Sequence, residues 1–296
     1  SRFENHYISF SKCMKRRGTY CDNGRIIMAD MIELWCTDLD FDIIRRAYLI
    51  GKIEILDAYT APYRYLDQTY VKIILDYYGQ KTALKKVKGR EREYAEAKVK
   101  INSAYGNMVT DTIRDEVVFE DNEWKDDRRL TYAEIVEALE KAKNPRKCFL
   151  SFAFGVWVTA WARLRLEEGI RLAGRGFVYA DTDSVKYVGS VDWSAYNARR
   201  EADSRRSGSC ARDPAGVEHC MGVFETEDTA HRFRTLGAKK YVYDDEDGVH
   251  ITIAGVNKRI GAGELKHIEN FKEGFTFTDA GGLQSVYNDH PDMILQ

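Results

Sequence analysis

The stretch FVYADTDSVKYV, residues 177–188, decides the fold. Two short β-forming runs flank a polar centre, and the carboxylates of Asp181 and Asp183 stand at the predicted turn between them. Nucleotidyl transfer by two metal ions needs carboxylates that hold divalent cations about 4 Å apart, and a rigid hairpin tip holds such carboxylates well. On its own, an Asp-x-Asp pair is more often a plain polar β-turn. A second motif is therefore needed to choose between a metal site and a turn.

That second motif is Lys98-x-x-x-Asn102-x-x-Tyr105-Gly106. The spacing of i, i+4 and i+7 puts an ammonium, an amide and an aromatic ring along one edge of a helix. The lysine can neutralise phosphate oxygens, the amide and ring can lie against a base pair, and the glycine leaves room for close approach. This edge suits a nucleoside triphosphate, although alone it could equally be a solvated helix face.

Together the two motifs resemble those of family B DNA polymerases, whose fingers helix carries K-x-x-x-N-x-x-Y-G and whose palm carries Y-x-D-T-D-S. Their order and separation also fit. Further strings resemble the protein-primed phage branch of that family, so that the resemblance covers nearly the whole chain. These strings are FGVWVTAWAR at 154–163 for the palm helix, LGAKKY at 236–241 for the K-x-Y motif, IAGVNK at 253–258 and NFKEGF at 270–275 for the palm-to-thumb region, and DLD at 38–40 for the segment after the first palm motif.

The resemblance implies a role for each matched residue. Asp183 is the expected direct metal ligand with Asp181 beside it, and two Mg²⁺ ions are expected in the complete enzyme, with Mn²⁺ as a substitute. Two groups of contacts follow. Incoming nucleotide is expected at Lys98, Asn102, Tyr105 and Gly106, with Lys81 as a second phosphate contact for which Lys86 competes. Primer and DNA are expected at Thr182, Ser184, Lys239 and Tyr241, although Lys239 and Lys240 without the resemblance would be an ordinary charged turn.

The implied fold class is α+β with the right-hand architecture of polymerases: a palm with an antiparallel β-sheet backed by helices, helical fingers and a small thumb. The implied partners are primer–template DNA, a deoxynucleoside triphosphate and, in the protein-primed branch, a terminal protein primer. The implied divisions are 1–62 as a palm-associated insertion segment, 63–107 as fingers, 108–150 as an insertion tied to strand displacement and processivity, 151–250 as palm and 251–296 as thumb.

One part of the family pattern is missing. The first palm carboxylate motif, D-x-x-S-L-Y-P, occurs nowhere in residues 1–80, and the proofreading exonuclease segment is also absent. We therefore expect a truncated or split product of a replicase that is inactive alone. The alternative is a noncatalytic DNA-binding or partner-binding module that keeps a polymerase-like fold. A reverse transcriptase is disfavoured, because its signature has adjacent aspartates.

Charge is segregated along the 296 residues, although the formal net charge is only −2. Residues 81–100 hold eight Lys or Arg against three Glu, a local +5 that suits phosphate binding. Residues 111–145 hold eleven acids and six bases, a local −5 that suits a surface turned away from a polyanion. With no apolar run long enough to span a membrane and no signal peptide, we expect a cytoplasmic protein, and the resemblance implies phage or prophage replication in a bacterial host.

Six scattered cysteines form no C-x-x-C pair, so reduced thiols are expected. A metal-binding group of Cys210, His219 and Cys220 is the minor alternative to a plain exposed insertion. Residues 197–220 are polar without periodicity, which predicts a mobile surface loop.

Local patterns predict the remaining elements. These are strands near Tyr7–Phe10 and Ile26–Met28, helices from Leu39 to Tyr48, Tyr63 to Tyr78 and Arg90 to Met108, a helix capped by Thr131 and Glu134 that runs to about Lys143, a long helix over Gly155–Leu172, a hairpin over Tyr241–Ile253 turning at Asp247-Gly248, and a tail after Asp279 without a closing element.

Overall fold

The computed structural model describes residues 6–22, 24–113, 116–120, 123–128, 130–144, 148–278 and 293–294. Over these ranges the protein is a mixed α+β structure. Its helices are α1 (Asp38–Ala47), α2 (Gln68–Ala83), α3 (Glu91–Gly106), α4 (Tyr132–Lys143), α5 (Phe152–Ala173), α6 (Ser194–Ser207) and α7 (Lys258–Leu265). Short 3₁₀ turns lie at Phe10–Lys12, Asn107–Val109, Gly174–Gly176 and Ile268–Asn270.

The strands form small sheets of two or three members. They are β1 (Cys13–Arg17), β2 (Tyr20–Asp22), β3 (Arg25–Met28), β4 (Met31–Leu34), β5 (Glu116–Glu120), β6 (Glu123–Arg128), β7 (Phe177–Asp181), β8 (Ser184–Tyr187), β9 (Cys210–Arg212), β10 (Glu218–Cys220), β11 (Arg232–Thr235), β12 (Lys240–Asp245), β13 (Gly248–Ile253), β14 (Thr276–Phe277) and β15 (Met293–Ile294). The pairs β1–β4, β2–β3, β7–β8, β9–β10 and β14–β15 and the three-stranded sheet β11–β12–β13 are antiparallel.

The chain divides into two compact units. One comprises Ser1–Val117 with Asp126–Phe224, and the other comprises Val118–Lys125 with Glu225–Gln296. In the first unit, an apolar cluster between α1 and the N-terminal strands includes Ile26, Ile44 and Tyr48. In the second, β12, β13 and α7 bury a separate cluster that includes Phe271 and Phe277.

Several local predictions are confirmed. The capping box at Thr131 and Glu134 is formed, because each side chain accepts a hydrogen bond from the backbone of the other, and α4 ends at Lys143. The hairpin β12–β13 pairs Asp245 with Gly248, and that glycine has a φ of 118°, which few other residues adopt. The long helix α5 begins three residues earlier than predicted.

Other predictions are wrong. Residues 197–220 are not a loop, since α6 and the β9–β10 hairpin occupy them. Tyr7–Phe10 does not form a strand and contributes only an isolated bridge between Ser9 and Arg25. The helix predicted from Tyr63 starts at Gln68 instead, where the carboxylate of Asp67 accepts hydrogen bonds from the first-turn amides. The tail after Asp279 lies outside the described residues except for β15.

Candidate functional site

The turn between β7 and β8 carries both acidic residues. Asp181 pairs with Ser184 in the ladder, and the amide of Asp183 donates to the carbonyl of Asp181 at 2.6 Å. Thr182 adopts a left-handed φ of 56°, which closes the turn in so few residues. The carboxylate of Asp181 accepts from the hydroxyl of Thr182 at 3.0 Å, and the hydroxyl of Ser184 donates to the carbonyl of Asp181 at 3.1 Å. The tip is therefore fixed by its own hydrogen bonds.

The two acids differ in exposure, and both offer carboxylate oxygens to a metal ion. Asp181 is half-buried and Asp183 is exposed. Mg²⁺ prefers carboxylate oxygens and usually binds one or two of them while it keeps water and phosphate ligands. These donors fit such an ion. Lys186, whose ammonium donates to the hydroxyl of Ser184 at 3.1 Å, adds a positive charge beside the same turn.

The base of this hairpin is closed by backbone contact. Val188 donates its amide to the carbonyl of Gly176 at 2.8 Å, and a side chain at position 176 would overlap the carbonyl oxygen of Val188. Higher up, Gly169 of α5 lets the hairpin approach the helix, because a Cβ there would lie 2.7 Å from the ring of Phe224 and 3.2 Å from Val185. Gly169 thus lets α5 lie close to the hairpin and to Phe224, while Gly176 lets the two ends of the hairpin meet.

The residues of the predicted nucleotide-binding motif lie on α3. Ala97 is buried on the face turned inward, together with Met108 in the following 3₁₀ turn. Lys98, Asn102 and Tyr105 are exposed and recur at helical spacing about a quarter turn away. Gly106 is the last residue of α3. Helix α3 thus has the predicted arrangement, with a polar edge beside an apolar stripe.

The end of α3 is joined to the start of α5. The amide of Ser151 donates to the carbonyl of Met108 at 2.9 Å, and a side chain at Gly155 would overlap Val109. Tyr70 of α2 donates its hydroxyl to the carbonyl of Ala104 at 2.6 Å. One helix, α5, therefore contacts both the element that carries the Lys-Asn-Tyr edge and the hairpin that carries the two acids.

A charged network, which the sequence does not reveal, fixes α5 against α1. Arg163 makes two parallel hydrogen bonds of 2.7 Å to the carboxylate of Asp40. Thr37 donates its hydroxyl to the same carboxylate at 2.8 Å, and Tyr7 donates its hydroxyl to it as well. On the neighbouring turn, the indole of Trp157 donates to Asp38 at 3.0 Å.

Burial and hydrogen bonding oppose each other at Asp40, which is 7% exposed. Burial alone would raise its pKa, but hydrogen bonds from Arg163, Tyr7 and Thr37 outweigh burial and lower the pKa to about 2. Burial, followed by the hydrogen bond to Asp40, raises the pKa of Tyr7 above its ordinary value. Asp40 is therefore a structural anion that is already fully engaged.

Of the other predicted contact residues, Lys81 lies on α2, and Lys239 and Tyr241 lie in the second unit. Lys81 is half-buried, with its ammonium 5.8 Å from the ring centre of Tyr78. In the second unit, Lys239 is exposed at a φ of 58° before β12. Tyr241 is 7% exposed and packs with its ring 5.6 Å from that of Phe233, so its ring is part of the interior of that unit.

The cysteine prediction is corrected at one pair. Cys210 and Cys220 form a disulfide, whereas Cys13, Cys21, Cys36 and Cys148 are free thiols as predicted. In the minor alternative, a metal-binding group of Cys210, His219 and Cys220, the structure does not bring His219 together with the two cysteines. His219 pairs with Asp213 at 3.1 Å, and it is Glu218 whose carboxylate lies within 4.8 Å of both sulfurs. Strand alternation explains this, since residues 218 and 220 face one side of β10 and residue 219 the other.

No protein-family model, curated protein or solved structure matches this chain. Among the helices over the described ranges, none combines the length and apolar character needed to cross a membrane.

Proposed function

We propose that this chain is part of a DNA-directed DNA polymerase with a right-hand architecture, which extends a primer 3′ end with deoxynucleotides. The observation that carries the proposal is the shared contact of α5 with the acidic β7–β8 hairpin and with the end of α3. Nucleotidyl transfer needs carboxylates for cations and a basic, aromatic edge for a triphosphate on one rigid frame. A solvated turn and a solvated helix face would need no common support.

The chain's own residues suggest a division of labour. Asp181 and Asp183 would hold Mg²⁺, which supplies charge neutralisation for the triphosphate and activation of the attacking 3′ oxygen. Lys98 would bind phosphate oxygens as a point charge. Asn102 and Tyr105, one and two turns further along α3, would lie against the base and sugar of the incoming nucleotide.

The surrounding charge supports a polyanionic ligand. Lys85, Lys86 and Lys88 follow α2 within the basic stretch 81–100, and Lys86 and Lys88 are exposed. Contacts between lysine side chains and phosphates supply most of the sequence-independent affinity for DNA. Their contribution falls as the salt concentration rises. We expect binding of primer–template DNA that falls steeply between low and moderate salt.

A second candidate function is a noncatalytic module that binds DNA or a partner. One observation favours it: no first palm carboxylate motif is found in residues 1–80, and Asp40 cannot replace it because Arg163, Tyr7 and Thr37 already occupy its oxygens. A single acidic turn does not hold two cations in working geometry, so we expect this chain to lack activity by itself.

The test is primer extension with Mg²⁺. This chain alone is compared with the chain supplied with a D-x-x-S-L-Y-P segment, either fused upstream or added as a separate piece. We expect extension only in the supplemented sample. Asp183→Asn should then abolish extension while leaving DNA binding nearly intact, because affinity rests on phosphate contacts elsewhere. Asp192→Asn, an exposed acid before α6, is the matched control and should remain active.

A second variant tests the nucleotide edge. Lys98→Ala should mainly raise the KM for deoxynucleotide, whereas Lys143→Ala on α4, an exposed lysine paired with Glu140, should not. Full activity of the Asp183→Asn enzyme would overturn the metal assignment. DNA binding without extension in every supplemented sample would favour the noncatalytic module.

A further inference from the structure

The β9–β10 hairpin is closed by a covalent bond. Cys210 and Cys220 occupy directly paired positions in the antiparallel ladder, ten residues apart, and their sulfurs are joined. Cys220 is buried at 9% exposure, while Cys210 is half-buried and reachable from solvent.

This hairpin connects two helices of the first unit. Its β9 strand packs against α2, and the hydroxyl of Tyr78 on α2 donates to the carbonyl of His219 at 3.1 Å. On the other side, the hydroxyl of Ser204 on α6 donates to the carbonyl of Met221 at 2.7 Å, and the amide of Met221 donates to the carbonyl of Ser209 at 3.0 Å. The cross-link therefore lies between the helix that pairs with α3 and the helix that follows β8.

The surroundings favour a disulfide over a thiolate metal centre. Glu218, the one carboxylate near both sulfurs among the described residues, is bound by the guanidinium of Arg205 at 2.9 Å and has Arg212 at 3.7 Å. A cation would have to compete with two guanidinium groups for that carboxylate. His219 faces away and is held by Asp213.

We propose that Cys210 and Cys220 form a reversible dithiol–disulfide couple that tightens or loosens the contact between the β9–β10 hairpin and α2. The reductant is a dithiol. One of its thiolates attacks the accessible sulfur of Cys210 and releases the thiolate of Cys220. Its second thiol then displaces Cys210, leaving two protein thiols and an oxidised dithiol, so that two electrons and two protons have moved to the protein.

The expected effect is a change in local opening. A cross-link closing a loop of about ten residues restricts the open state by a factor of roughly 100 in the chain-entropy description. Reduction should therefore speed amide hydrogen exchange of β9 and β10 by roughly 100-fold, with a smaller increase in α2 around Tyr78. Helix α4 should not change. These changes in hydrogen exchange do not require polymerase activity.

The experiment uses the full chain titrated with dithiothreitol and its oxidised form, followed by alkylation, peptide mass spectrometry and hydrogen exchange. We expect Cys210 and Cys220 to be alkylated together only after reduction, and exposed Cys36 to be alkylated in both states. The double variant Cys210→Ser, Cys220→Ser should behave as the reduced chain, while Cys36→Ser should keep the redox response.

Three outcomes would overturn the proposal. The first is free Cys210 and Cys220 thiols under non-reducing conditions. The second is one equivalent of bound zinc that is lost in the double serine variant, which would identify a metal centre instead. The third is a disulfide whose reduction leaves exchange in both the hairpin and α2 unchanged.

Discussion

The ion pair between buried Asp40 and partly exposed Arg163 allows a quantitative prediction about stability. In the folded chain the pKa of Asp40 falls from 3.8 to about 2. At about 1.4 kcal/mol for each pH unit, this difference corresponds to about 2.5 kcal/mol of stability. Breaking a fully buried pair costs about 3–5 kcal/mol, but Arg163 retains 42% of its side-chain exposure, which places this pair at or below the lower end of that range. We therefore expect Asp40→Asn to lower the free energy of unfolding by about 2.5 kcal/mol at pH 7.

The pH dependence follows from the direction of the pKa. Because the folded-state pKa lies below the unfolded-state value, the stabilisation is complete above about pH 5 and is lost as the pH falls through 4 towards 2. The difference in stability between wild type and Asp40→Asn should therefore shrink over that window. Other carboxylates affect both proteins equally, so the difference isolates Asp40.

The assay is equilibrium urea unfolding followed by tryptophan fluorescence and circular dichroism at several pH values. Asp42→Asn is the matched control, since Asp42 lies on the same helix in an exposed pair with Arg46. Such surface pairs are worth less than about 1 kcal/mol. A loss below about 0.5 kcal/mol for Asp40→Asn, or a difference from wild type that does not vary between pH 7 and pH 2, would refute the reasoning.

Three further predictions concern packing, hydrogen bonding and capping. Gly155→Ala should cost about 1–3 kcal/mol because the new methyl group overlaps Val109, whereas Gly79→Ala, in open space on α2, should be neutral or stabilising by up to about 1 kcal/mol; thermal unfolding of both distinguishes these. Tyr7→Phe removes a hydrogen bond to the carboxylate of Asp40 and should lower the free energy of unfolding by about 1.5–3 kcal/mol. It should also raise the pKa of Asp40, so that the urea series shows a narrower pH range over which the stability contributed by Asp40 is lost. Asn257→Ala removes the cap that accepts from the first amides of α7 and should cost about 1 kcal/mol in chemical denaturation.

Sequence reasoning succeeded where the signal is local. The capping box of α4 needs only Thr131 and Glu134, three residues apart, and the β12–β13 turn needs only the Asp247-Gly248 pair. The edge of α3 is likewise a matter of helical spacing. These features depend on neighbours in the chain, so the sequence contains all of the information that they need.

Segments whose structure depends on tertiary contacts could not be predicted from the sequence. Helix α6 is polar almost throughout, and its two buried residues are Tyr196 and Ser204. Its place in the fold is set by Asn197, which exchanges hydrogen bonds with the backbone of Phe224, twenty-seven residues away. Residues 197–220 have no periodicity that would predict these contacts.

The same contrast between local motifs and long-range contacts explains why only part of the candidate site could be predicted. The turn acids and the α3 edge could be read from motifs, but the Asp40–Arg163 network joins residues 123 positions apart. Asp40 is one of three aspartates in α1 and Arg163 is one of three arginines in α5, and no local pattern shows that these two form a pair. The cysteine cross-link was missed because spacing alone does not reveal that positions 210 and 220 face each other across a ladder.

The glycine contact at the foot of the β7–β8 hairpin has a mechanical consequence. The five residues of β7 extend about 16 Å at roughly 3.3 Å per residue, so the strand acts as a lever with its pivot where Gly176 meets Val188. A tilt of only about 4° at that pivot would displace the carboxylates at the far end by about 1 Å, and in the proposed polymerase a misplacement of this size would cost about 100-fold in rate. The position of the acidic tip thus depends on Gly176, which lies just before the strand at the end opposite the tip.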